Sequence, residues 1–177
     1  MELDLAYYGN PILRKKGEPI EEITEEFREL VAGMVETMEK HNGIGLAAPQ
    51  VHRSLRLFIT QVPQENENGK FEDGELRVYI NPEILEVSDE SSTLDEGCLS
   101  IPGLRGHVKR PVRARVRARD LDGNSFEVTV EGLEARCVLH ENDHINGVLF
   151  IDRIRGKARK ELEPKLKKLK KISKKST

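Results

Sequence analysis

Apolar residues recur at helical spacing in the first third of the chain and at alternate positions further on. Phe27, Leu30, Val31, Met34, Val35 and Met38 fall at i, i+3, i+4, i+7, i+8 and i+11, one continuous stripe that predicts a helix over 24–41. Thr24 suits its N-cap, Glu25 and Glu26 suit the positive end of the helix dipole, and Asn42-Gly43 stops it. The methionines of this stripe read as core. Segments 55–62 and 77–80 are strand-like, and 84–87 follows as a separate strand after the Asn81-Pro82 break. The polar stretch 64–74 reads as a surface loop, and 96–103 as a glycine-bounded turn.

In 112–120, Val112, Ala114, Val116 and Ala118 alternate with Arg113, Arg115, Arg117 and Arg119, the pattern of a half-buried strand with a basic outer face. Asp122-Gly123 makes a turn, and Phe126, Val128 and Val130 return as its partner. The arginine row is either a nucleic-acid surface or a row paired across strands with Glu127 and Glu131, and the second reading is favoured. A helix then carries Leu133, Cys137, His140, Glu141 and His144 and stops near Asn146-Gly147. Segment 148–151 is a short strand candidate. In 157–171, Leu162, Leu166 and Leu169 stand at helical spacing among lysines, with Pro164 expected to kink the helix or begin its main segment.

Composition adds a division of charge. The 177 residues carry a net charge of −2, but from residue 153 onward there are twelve Lys/Arg against two acidic residues, leaving an acidic body with a basic tail. Such a tail seeks a polyanion or is a solvated amphipathic face. No apolar run approaches the roughly 18 residues of a membrane helix. The start, Met1-Glu2-Leu3-Asp4, does not read as a secretory signal, so Cys98 and Cys137 are expected as reduced thiols in a cytosol.

The chemistry concentrates in His140-Glu141-Asn142-Asp143-His144. On a helix, histidines at i and i+4 share a face and can hold one divalent metal, with Glu141 placed as a general base. The alternative is two structural histidines with a chance glutamate between them. A catalytic metal needs a third protein ligand. Gly147 stands where one class of zinc proteases has its glycine, but Phe150 occupies the position of that class's third histidine and cannot bind metal. Glu161 and Glu163 lie in the basic tail, a poor place for a buried ligand. Cys98, on a turn between flexible positions, is the better candidate, and a thiolate with two imidazoles suits Zn(II) or Fe(II). Glu96 is a candidate support for the site, paired with Arg110. Two rivals are a zinc endopeptidase with a third ligand other than Cys98, and an RNA-binding protein with a structural metal.

Three segments, GIGLAAPQ at 43–50, EGCLS at 96–100 and HENDH at 140–144, together and in this order resemble the motifs of the peptide deformylase family. The likeness runs from Gly9-Asn10-Pro11 to Gly147-Val148-Leu149-Phe150, and the tail is less diagnostic. The resemblance implies an α+β fold, with antiparallel sheets around a central metal-binding helix and a C-terminal helix. It implies a catalytic domain over 1–152 and a basic helical extension over 153–177 packed on it. Cys98, His140 and His144 would bind one ion per chain, Fe(II) in many members and zinc or another divalent metal in others. Glu141 would be the acid/base, and Gln50 with the Leu99 backbone N–H would hold the oxyanion. Ile44, Gly45 and Gly97 would line the peptide cleft, with Leu133 and Cys137 in the methionine pocket. The implied partner is a formyl-methionyl nascent peptide, with a ribosome contact through the basic helix, no DNA, no membrane, and a cytoplasmic location.

Overall fold

Thr24 caps the first helix, α1 (Glu25–Lys40), its hydroxyl accepting the Phe27 N–H at 3.1 Å, and the stripe beginning at Phe27 turns inward. The computed structural model describes residues 1–176. Thr177, the last residue of the expected extension, lies outside the described residues. Four strands follow, β1 (Gly45–Ala47), β2 (Leu57–Thr60) and the two-residue pair β3 (Gln64–Glu65) and β4 (Phe71–Glu72). Then come β5 (Arg77–Val87), β6 (Ser91–Cys98), β7 (Ile101–Pro111), β8 (Arg113–Arg119) and β9 (Ser125–Glu131). Helix α2 (Gly132–Ile145), a short 3₁₀ turn (Phe150–Arg153) and helix α3 (Gly156–Ser176) complete the chain.

Among the described residues all strand pairings in the sheets are antiparallel. One five-stranded sheet runs in the order β1-β2-β5-β8-β9, while β6 and β7, among the described residues, pair only with each other. Alternation along the strands decides which helix covers which face. Leu46, Leu57, Ile59 and Ile80 join Phe27, Val31, Met34 and Met38 of α1 in one core. Their neighbours Ala47, Phe58 and Tyr79 point the other way and join Ala135, Val138 and Ile145 of α2 in a second. Helix α2 therefore lies under the large sheet, and its opposite side faces the β6–β7 hairpin. A third core joins Ile101, Leu104 and Val108 of β7 to Leu149, Phe150, Ile151 and Leu166, the last from α3. Among the described residues no helix is long and apolar enough to cross a membrane.

Several expectations are corrected. Asn81-Pro82 does not end a strand. Asn81 takes a left-handed conformation (φ 52°), its side chain exchanges hydrogen bonds with the Ile20 backbone at 2.8 and 2.7 Å, and β5 continues through a register shift between Ile80 and Glu83. Pro82 sits within that irregularity, where a missing N–H costs no ladder bond. The 96–103 turn is the tip of a long hairpin, and the 64–74 loop contains the exposed β3–β4 pair. The 148–151 strand is instead the 3₁₀ turn, because Asp152 Oδ2 accepts the Leu149 N–H at 2.9 Å and holds the chain curled. Pro164 lies inside α3, where the exposed face leaves the carbonyl one turn back to water. The arginine row is paired, Arg113 with Glu131 and both Arg115 and Arg117 with Glu127, while β5 adds Glu86 and Glu83.

Candidate active site

Helix α2 leaves β9 through Gly132, whose φ of +59° suits glycine, and turns one face to the β6–β7 hairpin. Arg136, His140 and His144 follow at four-residue intervals on that face. The two imidazoles meet edge to face with centroids 5.1 Å apart. Phe150, at the position a third histidine would hold in the protease pattern, stacks on His140 at 6.1 Å.

Cys98 ends β6 and reaches toward this pair. Its Sγ lies 3.3 Å from His144 Nε2, and one ligand atom from each of Cys98, His140 and His144 falls within 4.8 Å of the others. Glu96 Oε1 lies 2.8 Å from His140 Nδ1, which leaves Nε2 to face the cluster. Glu96 is itself held by Arg110, Nε to Oε2 at 2.6 Å and Nη2 to Oε1 at 3.0 Å, the pairing anticipated from sequence. Arg110 also donates to Asp143 at 3.0 Å, and Arg153 closes on the same carboxylate from outside at 2.6 and 2.8 Å. Burial would raise the Glu96 carboxyl, but hydrogen bonds from His140 and Arg110 outweigh it and bring it to about 2.

The donor set fits a divalent cation. Burial works against charge on His140, yet the neighbouring Glu141, Cys98 and Glu96 push its imidazole up to about 10. The ligand chemistry itself is what fits a metal, since one soft thiolate with two imidazoles is a set that zinc and ferrous iron accept. Among the described residues this is the grouping of His, Cys, Asp and Glu that can hold an ion.

Glu141 lies beside it, buried, with Oε1 lacking a hydrogen-bond partner. Burial, with the nearby Glu96 and Asp143 charges, pushes its carboxyl up to about 7 against the pull of His140 and Arg110. Gln50 is fixed by its own loop. Its Oε1 accepts the Ala47 N–H at 3.0 Å, which directs its amide N–H groups to Ser100 Oγ (3.2 Å) and Cys98 Sγ (3.5 Å). A cleft of about 580 Å³ opens over these groups and is lined by Ile44, Gly45, Gln50, Gly97, Cys98, Leu99, Leu133, Cys137, His140 and Glu141. His144 lies deeper, almost wholly buried. Leu133 is half exposed, whereas Cys137 is buried, which raises its thiol well above the usual range.

Two glycines mark close approaches. A Cβ on Gly45 would come within 2.7 Å of both Cys137 Sγ and Glu141 Oε2, and one on Gly97 within 2.5 Å of an Arg105 nitrogen. The site residues singled out from sequence therefore line this cleft, except His144, which lies behind it with Nε2 3.3 Å from Cys98 Sγ. Sequence reasoning missed Arg136, Asp143, Arg153 and Ser100. The signal for Arg136 was present, since its four-residue spacing to His140 puts it on the histidine face.

A family model described as polypeptide deformylase matches residues 2–160. The chain is 49% identical over 140 residues to a peptide deformylase of Bradyrhizobium diazoefficiens, covering 79% of this chain and 80% of that one. To a peptide deformylase of Acinetobacter baumannii it is 38% identical over 167 residues, covering 94% and 91%. Among solved structures it is similar to a plant peptide deformylase (TM-score 0.89, 37% identity, 99% of this chain and 92% of that one). It is also similar to a Met-Ala-Ser-bound peptide deformylase of Acinetobacter baumannii (TM-score 0.80, 37% identity, 87% and 99%).

Proposed function

The chain belongs to the polypeptide deformylase family and removes the N-formyl group from the N-terminus of new polypeptides, and within that activity we propose the following roles for its residues. Cys98, His140 and His144 hold one divalent ion. The observation that carries this is the convergence of a thiolate and two imidazoles within 4.8 Å, with Glu141 and Gln50 at the same cleft. When bound, such an ion supplies Lewis acidity, which polarises the formyl carbonyl and makes water a usable nucleophile near neutral pH. Ferrous iron is the proposed native ion, with zinc or another divalent metal as its replacement.

Glu141 takes the proton from the attacking water. Its burial and its unpartnered Oε1 leave that oxygen committed to no neighbour, and a carboxyl near 7 both accepts and returns a proton at neutral pH. It then hands the proton to the departing amine, leaving formate and a free N-terminus. Gln50 Nε2 and the Leu99 N–H donate to the oxyanion that develops on the formyl oxygen. The loop bond from Ala47 sets the Gln50 amide in advance, so little reorganisation is needed.

Ile44, Gly45 and Gly97 pair with the substrate peptide as an added strand between β1 and β6. Leu133 and Cys137 contribute to the pocket for its methionine. Residues 1–152 form the catalytic domain and 153–177 an extension whose lysine-rich face contacts the ribosome, in the cytoplasm and without DNA or membrane. Replacing the exposed Lys165, Lys167, Lys168 and Lys171 with glutamine, which leaves Leu166 packed in the third core, then weakens co-sedimentation with ribosomes and spares turnover of a short formyl-peptide.

One assay tests the catalytic proposal. Anaerobically prepared protein is given a formyl-Met peptide, formate is measured, and metal is quantified on the same sample. Formate release in step with one iron or zinc per chain, lost in Cys98→Ala, is the expected result. Release that is indifferent to metal content, or intact in Cys98→Ala, overturns the proposed ligand set.

A further inference from the structure

Cys98 and the two histidines come from separate parts of the fold. The histidines ride on α2, under the five-stranded sheet, while Cys98 ends the first strand of a hairpin that, among the described residues, pairs with no other strand. The spacing of the three ligand atoms therefore depends on how the hairpin is docked. At its tip the docking onto the 3₁₀ turn is apolar, through Ile101 and Leu104 against Leu149 and Phe150, and the polar contacts at Ser100 come from the N-terminal third of the chain, where the Tyr8 N–H and the Gln50 amide donate to it, so that neither ties it to α2. Apolar contacts are not directional and set no register by themselves.

Further from the tip, two buried arginines stitch the bodies together in opposite directions. Arg110 reaches from β7 to Asp143 on α2. Arg136 reaches from α2 into the hairpin and touches both of its strands. Its Nη1 donates to Glu96 Oε2 (2.6 Å) and to the Val108 carbonyl (2.8 Å), and its Nη2 donates to the Ser92 carbonyl (2.8 Å) and Ser92 Oγ (3.0 Å). Four acceptors on two strands are thus met by one planar group one helical turn before His140. A lysine, with one point of charge on a flexible stem, cannot reproduce that fork.

We infer that Arg136 is a positioning residue for the metal site, holding the β6–β7 hairpin in the register that brings Cys98 to His140 and His144. It acts through Glu96, which it orients against His140 Nδ1, and through the two strand carbonyls, which fix the hairpin on the helix. Partners that orient ligands typically contribute 10- to 100-fold to metal affinity. The inference rests on the ligand set proposed above.

Zinc serves as the probe. Its dissociation constant is measured by chelator competition on wild type, Arg136→Met, Arg136→Lys and Cys98→Ala, and urea unfolding is measured for the metal-free and zinc-loaded forms of each. Methionine keeps an unbranched stem along the cleft wall and removes all four bonds, and lysine keeps some of them. The expected result is zinc binding at least tenfold weaker in Arg136→Met, with Arg136→Lys in between. Tenfold weaker binding takes about 1.4 kcal/mol more from the zinc form than from the metal-free form. A merely structural arginine would lower both forms equally and leave the dissociation constant unchanged, which would overturn the inference. If Arg136→Met does not fold, Arg136→Lys decides by the same comparison. Zinc binding by wild type that Cys98→Ala leaves intact would instead sink the ligand set, and this inference with it.

Discussion

Helix α2 has two sides that are buried in different ways. Ala135, Val138 and Ile145 pack on the five-stranded sheet in an apolar cluster. Arg136, His140, Glu141, Asp143 and His144 are also buried, but against a hairpin that meets them with Glu96, Arg110 and Cys98. The first side returns free energy in proportion to the area removed from water. The second sets charge attraction against a desolvation cost of several kcal/mol per ion, and buried ion networks of this kind often contribute little net stability. What the second side has, and the first lacks, is directionality. Each hydrogen bond holds only over a few tenths of an ångström and a narrow angle, so the polar side specifies where the hairpin sits. The helix is held in place by one face and aligned by the other.

Substitutions on the two faces should separate activity from stability. The largest effect is expected from Glu141→Gln, which keeps the shape and removes the proton carrier. Turnover should fall on the order of 10³-fold or more, with metal content unchanged. A variant within tenfold of wild type would remove Glu141 from proton transfer. The converse is Ile145→Ala on the sheet side. Its fully buried side chain leaves a cavity worth about 3–4 kcal/mol, read by urea unfolding, while the folded protein keeps its kcat within a few-fold. A large loss of kcat at full folding would show that the apolar face also sets the site's geometry.

Acid probes the polar face and leaves the apolar one untouched. The Glu96 carboxyl titrates near 4.5 when unpaired and is brought to about 2 in the fold. The unfolded chain therefore binds more protons between these values. The stabilisation, on the order of 3 kcal/mol, is fully present above pH 4.5 and is lost as the pH falls through 2. Glu96→Gln should flatten the decline in stability below pH 4.5, measured by urea unfolding at each pH. An unchanged slope would assign acid sensitivity to other carboxylates, such as Asp152, which Arg14 holds below the usual range despite partial burial.

The two faces were not equally legible in the sequence. The stripe of α1 and the alternation of β8 and β9 gave their elements correctly because one side of each is dry and the other wet, the condition under which periodicity reports burial. Strand β6 was not foreseen. Its stretch Thr93-Leu94-Asp95 is exposed, so no dry face marks it, and its pairing is visible only through β7. The continuation of β5 past Pro82 escaped notice because Asn81 is anchored by Ile20, sixty-one residues away. His140, Glu141 and His144 were readable from one turn of helix. Arg136, on the same face, was passed over because a buried arginine looks like a solvated one until its four acceptors on a distant hairpin are known.

That ambiguity about arginine gives the smallest prediction, and it sharpens the contrast. Arg115 also makes two ion pairs, with Glu86 at 3.3 Å and Glu127 at 3.5 Å, but all three side chains stand at least 40% exposed. Water already solvates each partner well, so pairing gains little, and holding three long side chains in one geometry costs rotamer freedom. Arg115→Ala should therefore lower stability by about 0.5 kcal/mol, and the difference from wild type should shrink further in 0.5 M salt, where screening extends over only a few ångströms. Activity and zinc affinity should stay at wild-type values, because nothing on β8's outer face reaches the cleft. A loss above about 2 kcal/mol would mean that the outer row acts as a connected network. The contrast with Arg136 would then lie in the number of partners rather than in burial.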